Sequence, residues 1–266
     1  MTRASRAVSL AAALFTLAAC GGGNDPDHPA AGSGTPSDVA VDGTVTVLAA
    51  ASLTEAFEQL GERLTDDYPG LEVVFSFGPS SGLVEQVLAG APADILATAD
   101  TRTMDRAVDG GAVSGEPTIF ARNRLALIVP AGNPGGVTGL ADLAREELRI
   151  AVCAAEVPCG AAAKRLLDTA GLTASPDTLA TDVKEAVSLV TLGEADASLV
   201  YLTDAAAAGE NIESIDVAES EQVVNDYPVA VLAGAPNPEG AQLVRDAITG
   251  EPGQQILGEA GFLAGR

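Results

Sequence analysis

The stretch Thr44-Val-Thr-Val-Leu-Ala-Ala-Ala-Ser-Leu-Thr-Glu-Ala-Phe-Glu-Gln-Leu-Gly-Glu-Arg-Leu64 changes its period partway along. Residues 44–50 form a β-branched and apolar run of the length of a buried strand. After it, Leu53, Phe57, Leu60 and Leu64 recur at the spacing of one helical face. Ser52 stands between the two as an expected N-cap, with Glu55 three residues on, the spacing of a capping box. A strand that turns directly into a helix is half of a βαβ unit, and it predicts an α/β fold with parallel strands.

The alternation continues along the chain. Strands are predicted at 71–77 and 94–97, with helices at 82–89 and 103–109. A strongly apolar strand at 125–129 ends at Pro130, before a Gly/Pro-rich turn and a helix near 140–146. A second round follows: strand 149–152, helices 160–170 and 183–192, strand 197–201. A late strand at 227–233 precedes helices at 238–249 and 253–259. Two rounds with a late return strand imply two lobes joined by two crossings, near 122–124 and 223–226. Lobe I is then discontinuous, residues 43–123 and 224–266, and lobe II is 124–223, each expected as a mostly parallel sheet flanked by helices. No internal repeat is visible.

The N-terminus carries a different message. Arg3 and Arg6 precede an apolar run at 7–19 that closes on Leu17-Ala-Ala-Cys20, with small residues before the cysteine. This is the pattern of a lipoprotein signal peptide over 1–19, and the run is too short to span a bilayer. Cleavage would leave Cys20 as the first residue, lipidated and anchored to the outer face of the cell membrane. Residues 20–42 are dominated by Gly, Pro, Ser, Asp and Ala without apolar periodicity, which reads as a flexible tether.

Composition narrows the partners. The formal charge is −23, and loss of Arg3 and Arg6 with the signal makes it −25, which argues against nucleic acid. With no tryptophan and three tyrosines, the cores are expected to be built from Ala, Val, Leu and Ile. Setting Cys20 aside leaves Cys153 and Cys159, an even pair in an oxidising compartment, for which a disulfide is expected. The one histidine, His28, lies in the tether, so neither a histidine-based metal site nor a serine–histidine catalytic pair can be assembled in the body of the chain.

Four strand-to-helix junctions share a chemistry. They are Ala49-Ala-Ala-Ser52, Gly78-Pro-Ser-Ser-Gly82, Val157-Pro-Cys-Gly160 and Asp182-Val183, the last with Asp182 as expected cap and Glu185 at the third helical position. Each exposes unpaired N–H groups at the positive end of a helix dipole. Two per lobe, converging across a cleft, would bind an anion by neutral donors without lysine or arginine. Taken singly, each junction is equally well an ordinary helix cap or turn.

In order, Val47-Leu-Ala-Ala-Ala-Ser-Leu53, Phe75-Ser-Phe-Gly-Pro-Ser-Ser81, Gly90-Ala-Pro-Ala-Asp-Ile95, Ala99-Asp100, Val157-Pro158, Asp182-Val183, Leu199-Val-Tyr-Leu-Thr-Asp204 and Tyr227-Pro-Val-Ala-Val231 resemble the blocks of the periplasmic molybdate-binding proteins of ABC transporters. The resemblance runs from Val45 to Phe262. It implies a two-lobed periplasmic-binding fold of type II, with molybdate or tungstate in the cleft and no cofactor. It also implies a ligand set: the serines Ser52 and Ser80, the amides of Cys159 and Val183, and the phenol of Tyr201. Two departures stand out. Pro79 replaces a frequent serine and offers no amide donor, and Cys159 replaces a frequent alanine but keeps its amide.

The competing ligands differ in chemistry. A pocket of donors alone suits a fully deprotonated tetrahedral dianion, whereas hydrogen phosphate needs an acceptor for its proton. Sulfate is also a bare dianion, only smaller. Ferric iron calls for clustered tyrosines or carboxylates, and Tyr68, Tyr201 and Tyr227 are scattered along the chain. The expected protein is thus not an enzyme but a monomeric binding lipoprotein. It would close its lobes over the anion and hand it to an ABC transporter permease, with ATP hydrolysed elsewhere, because the chain has no Gly-x4-Gly-Lys-Ser/Thr motif.

Overall fold

The computed structural model describes residues 41–265. The signal segment with Arg3, Arg6 and Cys20, and the tether through residue 40 with His28, lie outside the described residues. The first three strands are β1 (Gly43–Ala50), β2 (Leu71–Gly78) and β3 (Ile95–Ala97), followed respectively by helices α1 (Thr54–Asp67), α2 (Ser80–Leu88) and α3 (Thr101–Asp109). The long β4 (Val113–Pro130) leads to β5 (Ile150–Cys153), α4 (Pro158–Ala170), β6 (Thr178–Ala180), α5 (Val183–Thr191), β7 (Ala197–Tyr201), α6 (Leu202–Ala208) and β8 (Ile212–Ile215). The chain then returns through β9 (Val224–Leu232), α7 (Pro238–Thr249), α8 (Glu251–Glu259) and β10 (Leu263–Ala264). Among the described residues no helix is long and apolar enough to cross a membrane.

Two mixed sheets result. In the first, β2, β1 and β3 run parallel, and β9, the first part of β4 and β10 continue the sheet antiparallel. In the second, β6, β5 and β7 run parallel, and the latter part of β4 joins β7 and β8 antiparallel. Strand β4 serves both: Arg124 is the last residue paired with β9, and Leu125 is the first paired with β7, opposite Tyr201. The two strands at the passages between the sheets, β4 and β9, pair antiparallel with each other.

Local chemistry explains the main elements. Helix α1 buries Ala56, Phe57, Leu60 and Leu64, the stripe visible in the sequence. Helix α4 starts with Pro158 in its first turn and ends at Gly171 in the left-handed region. Helix α7 is capped by Asn237, whose side chain accepts from the Gly240 amide. Sequence periodicity missed the first half of β4, where Glu116 and Pro117 interrupt the apolar pattern, and the short β6, α6 and β8. The predicted helix at 140–146 is a 3₁₀ turn over Leu140–Ala144.

Two expectations need correction. The core is not purely aliphatic: Tyr201, Tyr227, Phe57 and Phe120 are among its largest fully buried side chains. They form a continuous aromatic chain, with Tyr227 meeting Tyr201, Phe120 and Phe262 edge-on. Ser52 is not an N-cap. It lies inside a 3₁₀ turn, Ala51–Leu53, and caps no amide, because its hydroxyl is turned toward Tyr227.

Candidate functional site

Where β1 and β2 end and α4 and α5 begin, one small cavity lies between the two sheets. Its wall includes Ser52, Ser80 and Ala99 from the first sheet's side, and Cys159, Asp182, Val183 and Tyr201 from the second's. The structure therefore brings Ser52, Ser80, Cys159, Val183 and Tyr201 to a single wall, although 149 positions separate the first from the last.

Each donor is set by a different piece of local structure. Ser52 Oγ is 2.9 Å from Tyr227 Oη, and both residues are buried. Ser80 opens α2 directly after Pro79, and its Oγ accepts the Ala99 N–H at 3.1 Å. A hydroxyl that already accepts keeps its own hydrogen free to donate. Tyr201 ends β7, so its phenol is delivered at a strand terminus, and there it meets the side chain of Asn225. Burial pushes the Tyr201 phenol well above its ordinary pKa, with the nearby Tyr227 and Asp100 adding to it. Tyr227 is raised by burial too. Both phenols are thus held protonated, as hydrogen-bonding groups.

The amides come from helix starts. Val183 is the first residue of α5, and Asp182 caps that helix by accepting the Glu185 N–H at 2.9 Å. Asp182 is the one carboxylate on the cavity wall and is engaged in this cap. Glu185 accepts from the Thr181 hydroxyl and amide, which lowers its pKa. Cys159 lies in the first turn of α4, where no helical carbonyl reaches its amide. A disulfide joins it to Cys153 at the end of β5, with the Cα atoms 5.7 Å apart. The next residue must be glycine: a Cβ on Gly160 would lie 2.0 Å from the Ala154 carbonyl oxygen and 2.5 Å from that of Cys153. The turn carrying the Cys159 amide is therefore pressed directly onto the end of β5.

Positive charge is kept out. Lys184 follows Val183, but its Nζ lies 2.6 and 2.8 Å from the two Glu55 oxygens and 2.9 Å from Asp204 Oδ1. Burial works against the Lys184 charge, yet Asp204 and Glu55 outweigh it and its pKa is raised. The cavity volume is about 20 Å³. That is room for one small rounded solute and far less than the hundreds of Å³ of a typical organic-ligand pocket. A second cavity of about 260 Å³ also touches Ser52, but it carries Glu55 and Glu259 and is unsuited to an anion.

Sequence reading missed Tyr227 as partner of Ser52, Asn225 as partner of Tyr201, and the Glu55–Lys184–Asp204 cluster. The first two pairs are 175 and 24 residues apart, beyond any local spacing. Asp204, a carboxylate beside the apolar run of β7, was the one signal available.

Comparison with known proteins identifies the family. Residues 45–263 match the family of bacterial extracellular solute-binding proteins. The chain is 37% identical to the molybdate-binding protein ModA of Mycobacterium tuberculosis over 92% of each chain. It is 34% identical to that of Escherichia coli, over 84% of this chain and 90% of the relative. The structure of the Azotobacter vinelandii periplasmic molybdate-binding protein superposes with a TM-score of 0.70 at 23% identity, covering 84% of this chain and all of that one. A sulfate-binding protein of Synechococcus elongatus is 27% identical over 89% of this chain and 74% of its own. The fold is the type II two-lobed periplasmic-binding fold, and the family match with its sequence relatives makes the chain a solute-binding protein of the ABC-transporter kind, not an enzyme. Within that class, the chain belongs to the ModA family.

Proposed function

We propose that the protein captures molybdate or tungstate as a bare tetrahedral dianion and delivers it to an ABC transporter permease. The ligands are the hydroxyls of Ser52, Ser80 and Tyr201 and the amides of Cys159 and Val183. The observation that carries this reading is their convergence, from both sheets, on one small cavity without a free cation or a free carboxylate. Hydrogen bonds to a charged group contribute about 1.5–3 kcal/mol each, so several offset the repulsion of a distant, screened acidic surface. Capture closes lobe I (43–123 and 224–266) over lobe II (124–223). The change of pairing partner at Arg124 and Leu125 supports a hinge there. The protein acts as a monomer, held to the outer face of the membrane through lipidated Cys20.

The test is a thermal-shift panel with molybdate, tungstate, sulfate, phosphate and ferric citrate. A ligand at a thousand times its Kd adds about 4 kcal/mol, or roughly 8–16 °C for a domain of this size. Molybdate and tungstate alone should raise Tm. A matching rise with sulfate, the ligand in the name of the Synechococcus relative, would move the assignment to tetrahedral dianions in general. No rise with any anion would refute the assignment.

A further inference from the structure

Asn225 lies in β9 beside the point where the chain passes between the sheets; it is 2% exposed, and every polar atom of its amide is used. Oδ1 accepts from the Arg165 guanidinium of α4. Nδ2 donates to the Ala99 carbonyl at 2.9 Å and to Tyr201 Oη at 2.8 Å. Two of these partners fix which way the amide faces. A guanidinium has no acceptor and a carbonyl oxygen has no donor, so Oδ1 must face Arg165 and Nδ2 must face Ala99. The second Nδ2 hydrogen therefore points at Tyr201, whose oxygen receives it.

We infer that Asn225, oriented by Arg165, is a positioning residue that makes the Tyr201 phenol an obligate donor toward the bound oxyanion. The inference rests on the oxyanion reading above. A phenol has one hydrogen. With its oxygen already accepting from Asn225, Tyr201 cannot spend that hydrogen on the amide; Tyr201 lines the cavity, where a bound oxyanion competes for the hydrogen with the neighbouring Tyr227 phenol. Ala99 links this device to the other lobe's hydroxyl: its carbonyl accepts from Asn225 while its N–H donates to Ser80 Oγ. The same short segment thereby sets Ser80 and Tyr201 as donors, one from each side of the cleft. A proton carried by the solute finds no acceptor at Tyr201, which favours fully deprotonated anions.

The experiment is a double-mutant cycle read by titration calorimetry with sodium molybdate. Asn225→Asp offers only acceptors, so Tyr201 turns its hydrogen to the new carboxylate, and affinity should fall about ten- to a hundredfold. Tyr201→Phe should fall by a similar factor. The double variant should lie within about threefold of Tyr201→Phe alone, because the hydrogen that Asn225 directs is already gone. Additive losses would overturn the inference, since packing or simple charge repulsion persists without the hydroxyl. Asn225→Ala, which removes the donor without adding an acceptor, should lose less than Asn225→Asp, and equal losses would likewise overturn it. If Asn225→Asp does not fold, the cycle between Asn225→Ala and Tyr201→Phe decides by the same criterion of additivity. A wild-type protein that binds no anion would refute the oxyanion reading itself. Wild-type binding with additive losses refutes only the role of Asn225.

Discussion

Asp204 offers the sharpest quantitative prediction. It is buried in α6, three residues after Tyr201, and burial pushes its pKa from the ordinary 3.8 to about 6. Lys184 opposes the shift, while Glu55 and Asp182 add to it. Lys184 Nζ is 2.9 Å from Asp204 Oδ1 as an ion pair, but neither carboxylate oxygen has a hydrogen-bond donor in good geometry. A carboxyl whose folded pKa exceeds its unfolded one binds more protons when folded. Its contribution to stability is complete below about pH 4 and is lost as pH rises through about 6. At 1.36 kcal/mol for each pH unit of displacement, the loss is about 3 kcal/mol at pH 7.

Asp204→Asn removes the titration and keeps the shape. Removing the Lys184 partner adds an offset that is constant from pH 4 to 7, because Lys184 stays charged throughout. Carboxylates with lowered pKa, such as Asp142, Glu185 and Asp196, cancel in the difference between variant and wild type. Plotted against pH, the Tm of the variant minus that of the wild type should climb between pH 4 and 7 by about 6–12 °C, the equivalent of about 3 kcal/mol. Calorimetric melts of the ligand-free protein measure it directly. A flat or falling difference curve would refute the assignment of a strained buried charge to Asp204.

The other predictions concern binding. Ser52→Ala and Ser80→Ala should each weaken molybdate by about 1–3 kcal/mol and also lower Tm by a few degrees, because the Tyr227 hydroxyl or the Ala99 N–H loses its partner; unchanged calorimetric affinity in both would remove them from the site. Glu55→Gln breaks the contact between α1 and Lys184 of α5; the pair is half exposed, so release should accelerate only about two- to fivefold, read by stopped-flow dissociation. An unchanged rate would show that the contact does not hold the lobes together. Affinity should vary little between low and high salt, since no mobile cation contacts the ligand, and a steep fall would point to a lysine or arginine in the site.

What was legible in the sequence was whatever local spacing encodes. The strand-to-helix junctions, the β7 strand ending at Tyr201 and the Asp182 cap with Glu185 were readable because each depends on neighbours within four residues. The conformation of Ser52 was not. A serine before a helical stripe looks like a cap, and only the folded chain brings Tyr227 close enough to take its hydroxyl instead. The orientation of the donors was invisible for the same reason. Ser80 depends on Ala99, and Tyr201 depends on Asn225, each from a different element.

These long-range partners explain why an acidic protein has little use for its own cations at the cleft. Lys184 sits next to Val183 and would be the natural counter-ion for a dianion, yet Glu55 and Asp204 hold its ammonium group. A lysine turned into the cavity would attract any anion, because a point charge on a flexible stem makes little demand on shape. Hydroxyls and first-turn amides are different: each must find an oxygen at hydrogen-bond distance and in line, so a set fixed on two sheets selects by geometry and by protonation state. Holding Asp204 ionised in its buried position costs about 3 kcal/mol of stability at neutral pH, and Lys184 offsets part of the penalty of burial. With Lys184 held by Glu55 and Asp204, the cavity wall offers neutral hydroxyls and first-turn amides, and two of those hydroxyls hydrogen-bond to Ala99 and Asn225.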